Sequence, residues 1–424
     1  MFWKIFYNII LYPIIFFTLL IMSFFNKKIK EGFLGRLKSI KELKNFINNI
    51  DTHNDIYWFH AASLGEYEQI KPVLAGLKEV EPSSKSIVSF FSPSGFNHVD
   101  DLNIDCKVYL PFDSYWTINK CLKIIKPKKL ILAAYDVWPN LIWRARSLNI
   151  HTTLFAARFS NNTSKFFPFI KNFYKNVYGS FSAIYTITES DNKLLSTILK
   201  KSTKPILRVL GNPRYDEVKL KADSFTIKRT ESVLQRPKTL LVGSVHIEDE
   251  NIIIDSIISL MNELDDLSII WAYHEPKDRY LDFAERFFHS KNFSVEYLSK
   301  TIPEKLNAKV CLVDGIGQLA QLYWYAQVAY IGGGFSTGIH NVMEPAIARL
   351  PIFFGPRYSN SHEAEELIND GGGVKIDSGT DLYLGIKKLF DDDDKFFKAS
   401  YSSTNVVHRN LGSATRVVRN IIHD

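Results

Sequence analysis

Val328 to Pro345 reads VAYIGGGFSTGIHNVMEP. Four residues of strand character run into Gly332, Gly333 and Gly334, and Asn341 and Glu344 then stand three apart where a helix starts. Strand, glycine turn and helix start make up one step of a parallel α/β sheet. The step recurs on both sides. Upstream, apolar runs at Thr239–Val242, Ser268–Tyr273 and Val310–Val313 alternate with amphipathic stretches, and Pro351–Phe354 follows downstream. An earlier series comprises Ile56–His60, Ser86–Ser89, Lys107–Tyr109, Lys129–Ala133, Thr152–Phe155 and Ala183–Thr186. Between the two series, VLGNPRYD (Val209–Asp216) has the Gly and Pro of a turn. A chain of 424 residues exceeds one ordinary core. The expected organisation is therefore residues 1–26, a first α/β domain at 27–208 and a second at 209–424.

From Ile5 to Phe25, IFYNIILYPIIFFTLLIMSFF carries no charge, about the ~20 residues that cross a bilayer. A signal peptide would have a shorter apolar region and a small-residue cleavage site, whereas SFFNKK follows here. Lys27, Lys28 and Lys30 outweigh Lys4, which predicts a body held on the cytoplasmic side of the inner membrane. Pro13 leaves a kinked or interfacial helix open. The net charge of +7 favours an anionic neighbour, and with no nucleic-acid motif in the chain a membrane suits the basic residues at Lys27–Lys38, Arg36 included. Cys106, Cys121 and Cys311 have neither zinc nor disulfide spacing, which predicts reduced thiols.

Ligands of open parallel sheets collect where the strands end. After the first strand comes HAASLGE (His60–Glu66), in which Ser63 and Gly65 are expected to hold a strand-to-helix turn. Glu66 there suits either a helix cap or a general base. Asp136, in DVWPN after ILAAY, either lines a cleft or belongs to a packing turn opened by Pro139. Gly243 and Ser244, in GSVH, offer amides at a helix start, and His274 is either a turn residue or a partner for a leaving nucleotide. The run Gly332, Gly333 and Gly334, with Gly317 in DGIGQL, permits close backbone approach and phosphate binding. Asn341 and Glu344 suit a ribose. No GxxG follows the glycines and no GxxxxGK[ST] occurs, which disfavours NAD and phosphate-loop chemistry.

In chain order, AASLGE, DVWPN, AARFS, GNPRYD, DGIGQLAQLY, IGGGFSTGIHNVMEPA and FFGPRYSNSHEA resemble the 3-deoxy-D-manno-octulosonic acid (Kdo) transferases that act on the lipid A precursor. The resemblance covers nearly the whole chain. It implies a GT-B glycosyltransferase fold of two Rossmann-like domains with an N-terminal membrane anchor helix, the first domain binding acceptor, the second binding donor, and a terminal helix returning to the first. It also implies CMP-Kdo as donor and an anionic lipid A precursor as acceptor. Matched residue by residue, Glu66 takes the place of the catalytic base, Asn341 and Glu344 the nucleotide site, Gly317 and Gly332 to Gly334 its neighbours, and Arg214 a position often held by Lys. Two departures stand out: Ala272-Tyr273-His274 lacks the arginine of a Pro-Arg-His segment, and Asp136 replaces a frequent Glu.

On that resemblance the expected reaction inverts the anomeric centre and uses no metal or other cofactor, the chain having no Asp-x-Asp pair outside the acidic run Asp391–Asp394. A UDP-sugar transferase acting on a lipid-linked acceptor and a non-catalytic sugar-nucleotide-binding module are the competing expectations.

Overall fold

The computed structural model describes residues 2–51, 53–134, 136–159, 168–199, 205–226, 232–301 and 306–424. Tyr135 and Ser160, members of two motifs quoted above, lie outside them. The chain divides into two compact units, Met1–Glu217 with Gly412–Asp424, and Val218–Leu411. The division falls inside the helix Arg214–Thr226, and the final helix, Ser413–His423, belongs to the first unit.

The first unit holds a parallel sheet of β1 (Ile56–Ala61), β2 (Lys85–Phe90), β3 (Cys106–Tyr109), β4 (Lys129–Ala133), β5 (His151–Ala157), β6 (Ala183–Thr186) and β7 (Ile206–Val209), in the order β3-β2-β1-β4-β5-β6-β7. Residues of β1 alternate between two cores. Trp58 packs with Ile87, Leu130 and Leu141 on one face, while Tyr57 and Phe59 meet Ile70, Leu74 and Val417 on the other. Val417, Val418 and Ile421 of the final helix are buried in that second core, which fastens the C-terminus to this unit.

The second unit repeats the plan with β8 (Thr239–Val245), β9 (Ser268–Tyr273), β10 (Val295–Tyr297), β11 (Val310–Leu312), β12 (Val328–Ile331), β13 (Ile352–Phe354) and β14 (Gly373–Lys375), ordered β10-β11-β9-β8-β12-β13-β14. Two seven-stranded parallel sheets with helices make the GT-B architecture. Three strands, β7, β10 and β14, were not expected. Each is a sheet edge, three or four residues long and only partly covered, so none shows the continuous apolar run of a central strand.

The N-terminal segment forms Phe2–Phe6, one π-helical turn at Tyr7–Leu11, and the helix Tyr12–Phe25. Together these make one helical stretch, Phe2–Phe25, long and apolar enough to cross a membrane. Pro13 cannot donate a backbone hydrogen bond and crowds the preceding turn, and the wide turn just before it takes up that misfit. Asn26 caps the next helix, Lys27–Asn48, through the amides of Lys28 and Ile29. Arg36, expected among lipid headgroups, is instead buried: its Nη2 donates to the Phe91 carbonyl at 2.6 Å and its guanidinium lies over the Phe91 ring. The three cysteines are free, and burial pushes each thiol up to about 12.

Candidate active site

The loops at the strand ends of the two sheets are built differently. In the first unit the turn after β1 leads into the helix Leu64–Val80, with Glu66 in its first turn. Ser63 is the cap residue but makes no side-chain cap bond; Glu66 closes the turn itself, its Oε2 accepting from the Ala62 amide at 2.5 Å. The two readings of Glu66, helix cap and expected base, thus fall on one geometry. Burial pushes its carboxyl up to about 8, the Ala62 amide pulls it down, and the charge of Asp136 raises it further. A Cβ at Gly65 would meet nothing nearer than the Ser63 hydroxyl at 4.0 Å, so crowding does not require glycine there.

Asp136 follows β4, and its Oδ2 lies 3.5 Å from His60 Nε2 and accepts from Trp138 Nε1 at 3.1 Å. His60, almost fully buried in β1, is held on its other nitrogen by Ser89 at 2.9 Å from the carbonyl and 3.0 Å from the hydroxyl. The reading of motifs passed over His60. Its one signal is an ionisable ring inside an otherwise apolar strand. Arg214 also belongs to the first unit, where its Nη2 meets Glu68 Oε2 at 2.8 Å. That pairing partly cancels the charge expected to face a donor phosphate.

In the second unit the glycine run does different work from that expected. Gly332 donates to the Gly243 carbonyl at 2.8 Å, and Gly333 donates to Asp249 Oδ2 at 2.7 Å. Asp249 is fully buried and also accepts from the amides of Phe335 and His246 and from the Tyr330 hydroxyl. The amides of Gly332 and Gly333 are therefore engaged within the protein, a correction to their expected role on a phosphate. Glycine is required because the backbones touch: a Cβ on Gly332 would stand 2.2 Å from the Ser244 carbonyl, and one on Gly334 2.5 Å from the Gly355 nitrogen. Gly317 has room around it and is set by its φ of +84°.

This tie holds the ends of β8 and β12 together, and the His274 amide, after β9, donates to the Val245 carbonyl at 3.0 Å, which brings three imidazoles together. His246, His274 and His340 stack with ring centroids 4.4 to 5.2 Å apart, and the Nε2 atoms of His246 and His340 are 2.9 Å apart, so one donates and the other accepts. Burial, then the neighbouring rings, holds His340 down to about 4; partial burial and His246 also lower His274. Both are therefore neutral at pH 7. Ligand atoms of the three lie within 4.8 Å of one another, a spacing that could hold a transition metal. A depression of about 500 Å³ beside them is lined by Tyr273, His274, Glu275, Tyr280 and Thr337. Past His274, whose segment lacks the family's arginine, stand Lys277, paired with Glu275, and Arg279, stacked on Tyr280.

Asn341 stands just before Val342, the cap residue of the short helix Met343–Ile347, and its side-chain oxygen accepts from the Met343 amide at 3.0 Å. Glu344, in its first turn, pairs with Lys221 at 2.9 Å. Lys221 carried no sequence signal, since it lies 123 residues away in an ordinary charged helix.

Residues 33–217 match the family described as 3-deoxy-D-manno-octulosonic-acid transferase (kdotransferase). A 3-deoxy-D-manno-octulosonic acid transferase of Chlamydophila psittaci is 29% identical over 346 residues, 79% of this chain and 77% of the relative. One from Haemophilus influenzae is 25% identical over 371 residues, 85% of each. Over most of its length the chain is thus similar to proteins named as Kdo transferases. Among solved structures, a UDP-GlcNAc 2-epimerase of Neisseria meningitidis aligns with a TM-score of 0.62 at 14% identity, over 88% of this chain and 100% of that one. A glycosyltransferase of Rickettsia africae aligns at 0.56 and 10% identity, over 88% and 97%. These two likenesses concern the fold alone.

Proposed function

We propose that this enzyme moves Kdo from CMP-Kdo to an anionic lipid A precursor, with inversion, on the cytoplasmic side of the inner membrane. The observation that carries the mechanism is Glu66, a buried carboxyl at the end of β1 whose proton affinity is raised toward the working pH. Its ionised form takes the proton of an acceptor hydroxyl while that oxygen attacks the anomeric carbon. The bond from that carbon to the CMP phosphate breaks from the opposite face, and CMP leaves with the electron pair. Asp136 faces His60 and Trp138 beside this position and raises the basicity of Glu66.

Donor binding is assigned to the loops after β8, β9, β11 and β12, with Glu344 and Asn341 at the ribose. His274 and His340 are neutral in the free protein, and a phosphate placed beside them favours their protonation. Gly243 and Ser244, expected at a helix start, lie instead within the last residues of β8, and Gly317 follows β11. Arg279 is assigned the positive charge that the missing arginine would have supplied. The transfer is proposed to need no metal, leaving the histidine cluster to meet the donor.

The experiment incubates purified protein with CMP-Kdo and a lipid A precursor and follows CMP release and lipid mass. A Kdo-sized gain that disappears in Glu66→Gln is expected. A mass gain with a UDP-sugar instead, or nucleotide binding without turnover, overturns the assignment.

A further inference from the structure

The three imidazoles of the second unit also have the makings of a metal site. They come from three separate segments, and each is fixed by its own backbone. The His246 amide donates to Asp249 at 3.1 Å, that of His274 to the Val245 carbonyl at 3.0 Å, and that of His340 to the Gly332 carbonyl at 3.2 Å. Backbone held in place lowers the cost of closing side chains around an ion. His246 and His340 meet nitrogen to nitrogen at 2.9 Å, His274 lies against both rings, and each ring has a ligand atom within 4.8 Å of the others. Around a tetrahedral zinc ion with Zn–N of about 2.0–2.1 Å, neighbouring nitrogens stand about 3.3 Å apart. The facing pair therefore needs to open by only about 0.4 Å and tilt, while His274, which is exposed, turns its ring toward the gap. The hydrogen between His246 and His340 passes to Nδ1 of the ring that carries it, and both facing lone pairs come free.

The donor set selects the ion. Imidazole nitrogens suit zinc and its neighbours in the first transition row, whereas magnesium and calcium prefer oxygen. Three protein ligands leave a fourth position for water or an anion. Glu248 and Glu275 line the same depression, and their charges offset those of Lys277 and Arg279 beside it.

We propose that His246, His274 and His340 bind one zinc ion per chain, and that the ion restrains transfer by retaining CMP. The restraint rests on the donor assignment above; the metal site does not. Once Kdo has left, the phosphate of CMP is a monoester carrying about −1.5 to −2, whereas the diester phosphate of CMP-Kdo carries a single charge. A dication at the cluster therefore stabilises product over donor, and release slows. The metal-free protein is the working form.

The test uses untagged full-length protein stripped with EDTA and exchanged into chelator-free buffer. Zinc is titrated against a chromophoric chelator, and cobalt(II) is added separately to read its spectrum. Expected are one zinc per chain, unaffected by excess magnesium, the strong visible bands of four-coordinate cobalt, and an affinity at least tenfold lower in His274→Asn and in His340→Asn. His274 is exposed, so His274→Asn should melt with the parent and tests the ligand apart from the fold. Zinc affinity unchanged in both variants, or the weak bands of six-coordinate cobalt, overturns the site. CMP is then titrated calorimetrically into zinc-loaded and metal-free protein. Binding at least tenfold tighter with zinc is expected, together with a fall in kcat. Equal or weaker binding with zinc, or a kcat that zinc leaves unchanged, overturns the restraint. A chain that takes zinc but binds CMP in neither form refutes the donor assignment and the restraint with it, while the metal site stands.

Discussion

The two strand-end clusters respond to burial in opposite senses. Around Glu66 burial makes a carboxyl hold its proton up to about 8, whereas around His340 it makes an imidazole refuse one down to about 4. The physical cause is shared, because removing water disfavours whichever form is charged. The chemical consequences differ. The first unit presents a group that becomes a base only when it ionises, and the second presents neutral rings that an anion beside them would favour protonating. The backbone differs too: the first cluster rests on a turn closed by Glu66 itself, and the second on a separate buried anchor, Asp249.

The contrast breaks most visibly at Glu66. Glu66→Gln should lower kcat by about 10²–10⁴ while leaving CMP affinity unchanged, checked by steady-state kinetics and nucleotide titration. An equal loss of nucleotide affinity would mean that the two clusters are not separate in role. Asp249→Asn comes next. It leaves three amides and a tyrosine sharing a weaker acceptor, so the second unit should lose about 3 kcal/mol, read by denaturant unfolding, and nucleotide binding should fall with it.

The pH profiles sharpen the same comparison. The kcat/KM of the parent should climb about tenfold per pH unit until it levels near 8, as Glu66 ionises. Stability should move the other way: between 4.5 and about 8 the folded chain keeps a proton that the unfolded chain has released, so stability present at low pH is lost as pH rises through that window. Glu66→Gln should remove this loss and melt a few degrees above the parent at pH 8. For the second cluster, donor binding should take up protons and tighten about tenfold from pH 8 to 6, measured by calorimetry in buffers of different ionisation heat, and His340→Asn should flatten that slope. The smallest expected effect is that of a chelator. Transfer rates should not change with EDTA; a loss restored by zinc would turn the histidine cluster into a catalytic metal centre.

Central strands and their loops were legible because their signals are local. The run Val328–Ile331 and the glycines after it place a strand end and its turn, and HAASLGE places an acid at a helix start. Edge strands β7, β10 and β14 were not legible, since a strand with one neighbour and a wet face has no need of an apolar run. The glycine run was read correctly as a place of close approach, but what approaches is the protein's own backbone at Ser244 and Gly355. Asp249 looked like one acid in a first turn, and only folding brings the loop after β12 to it.

By itself the sequence determined the two α/β halves, the apolar N-terminal helix, and the positions of Glu66, Asn341 and Glu344, because periodicity, turn chemistry and motif spacing act over a few residues. Tertiary structure alone decided that Arg36 is buried and Arg214 paired, that three distant histidines stack, and that the Tyr7 hydroxyl donates to Asp113. Each depends on partners separated by tens or hundreds of residues, and on burial, which raises or lowers a proton affinity only once the chain has closed around the group.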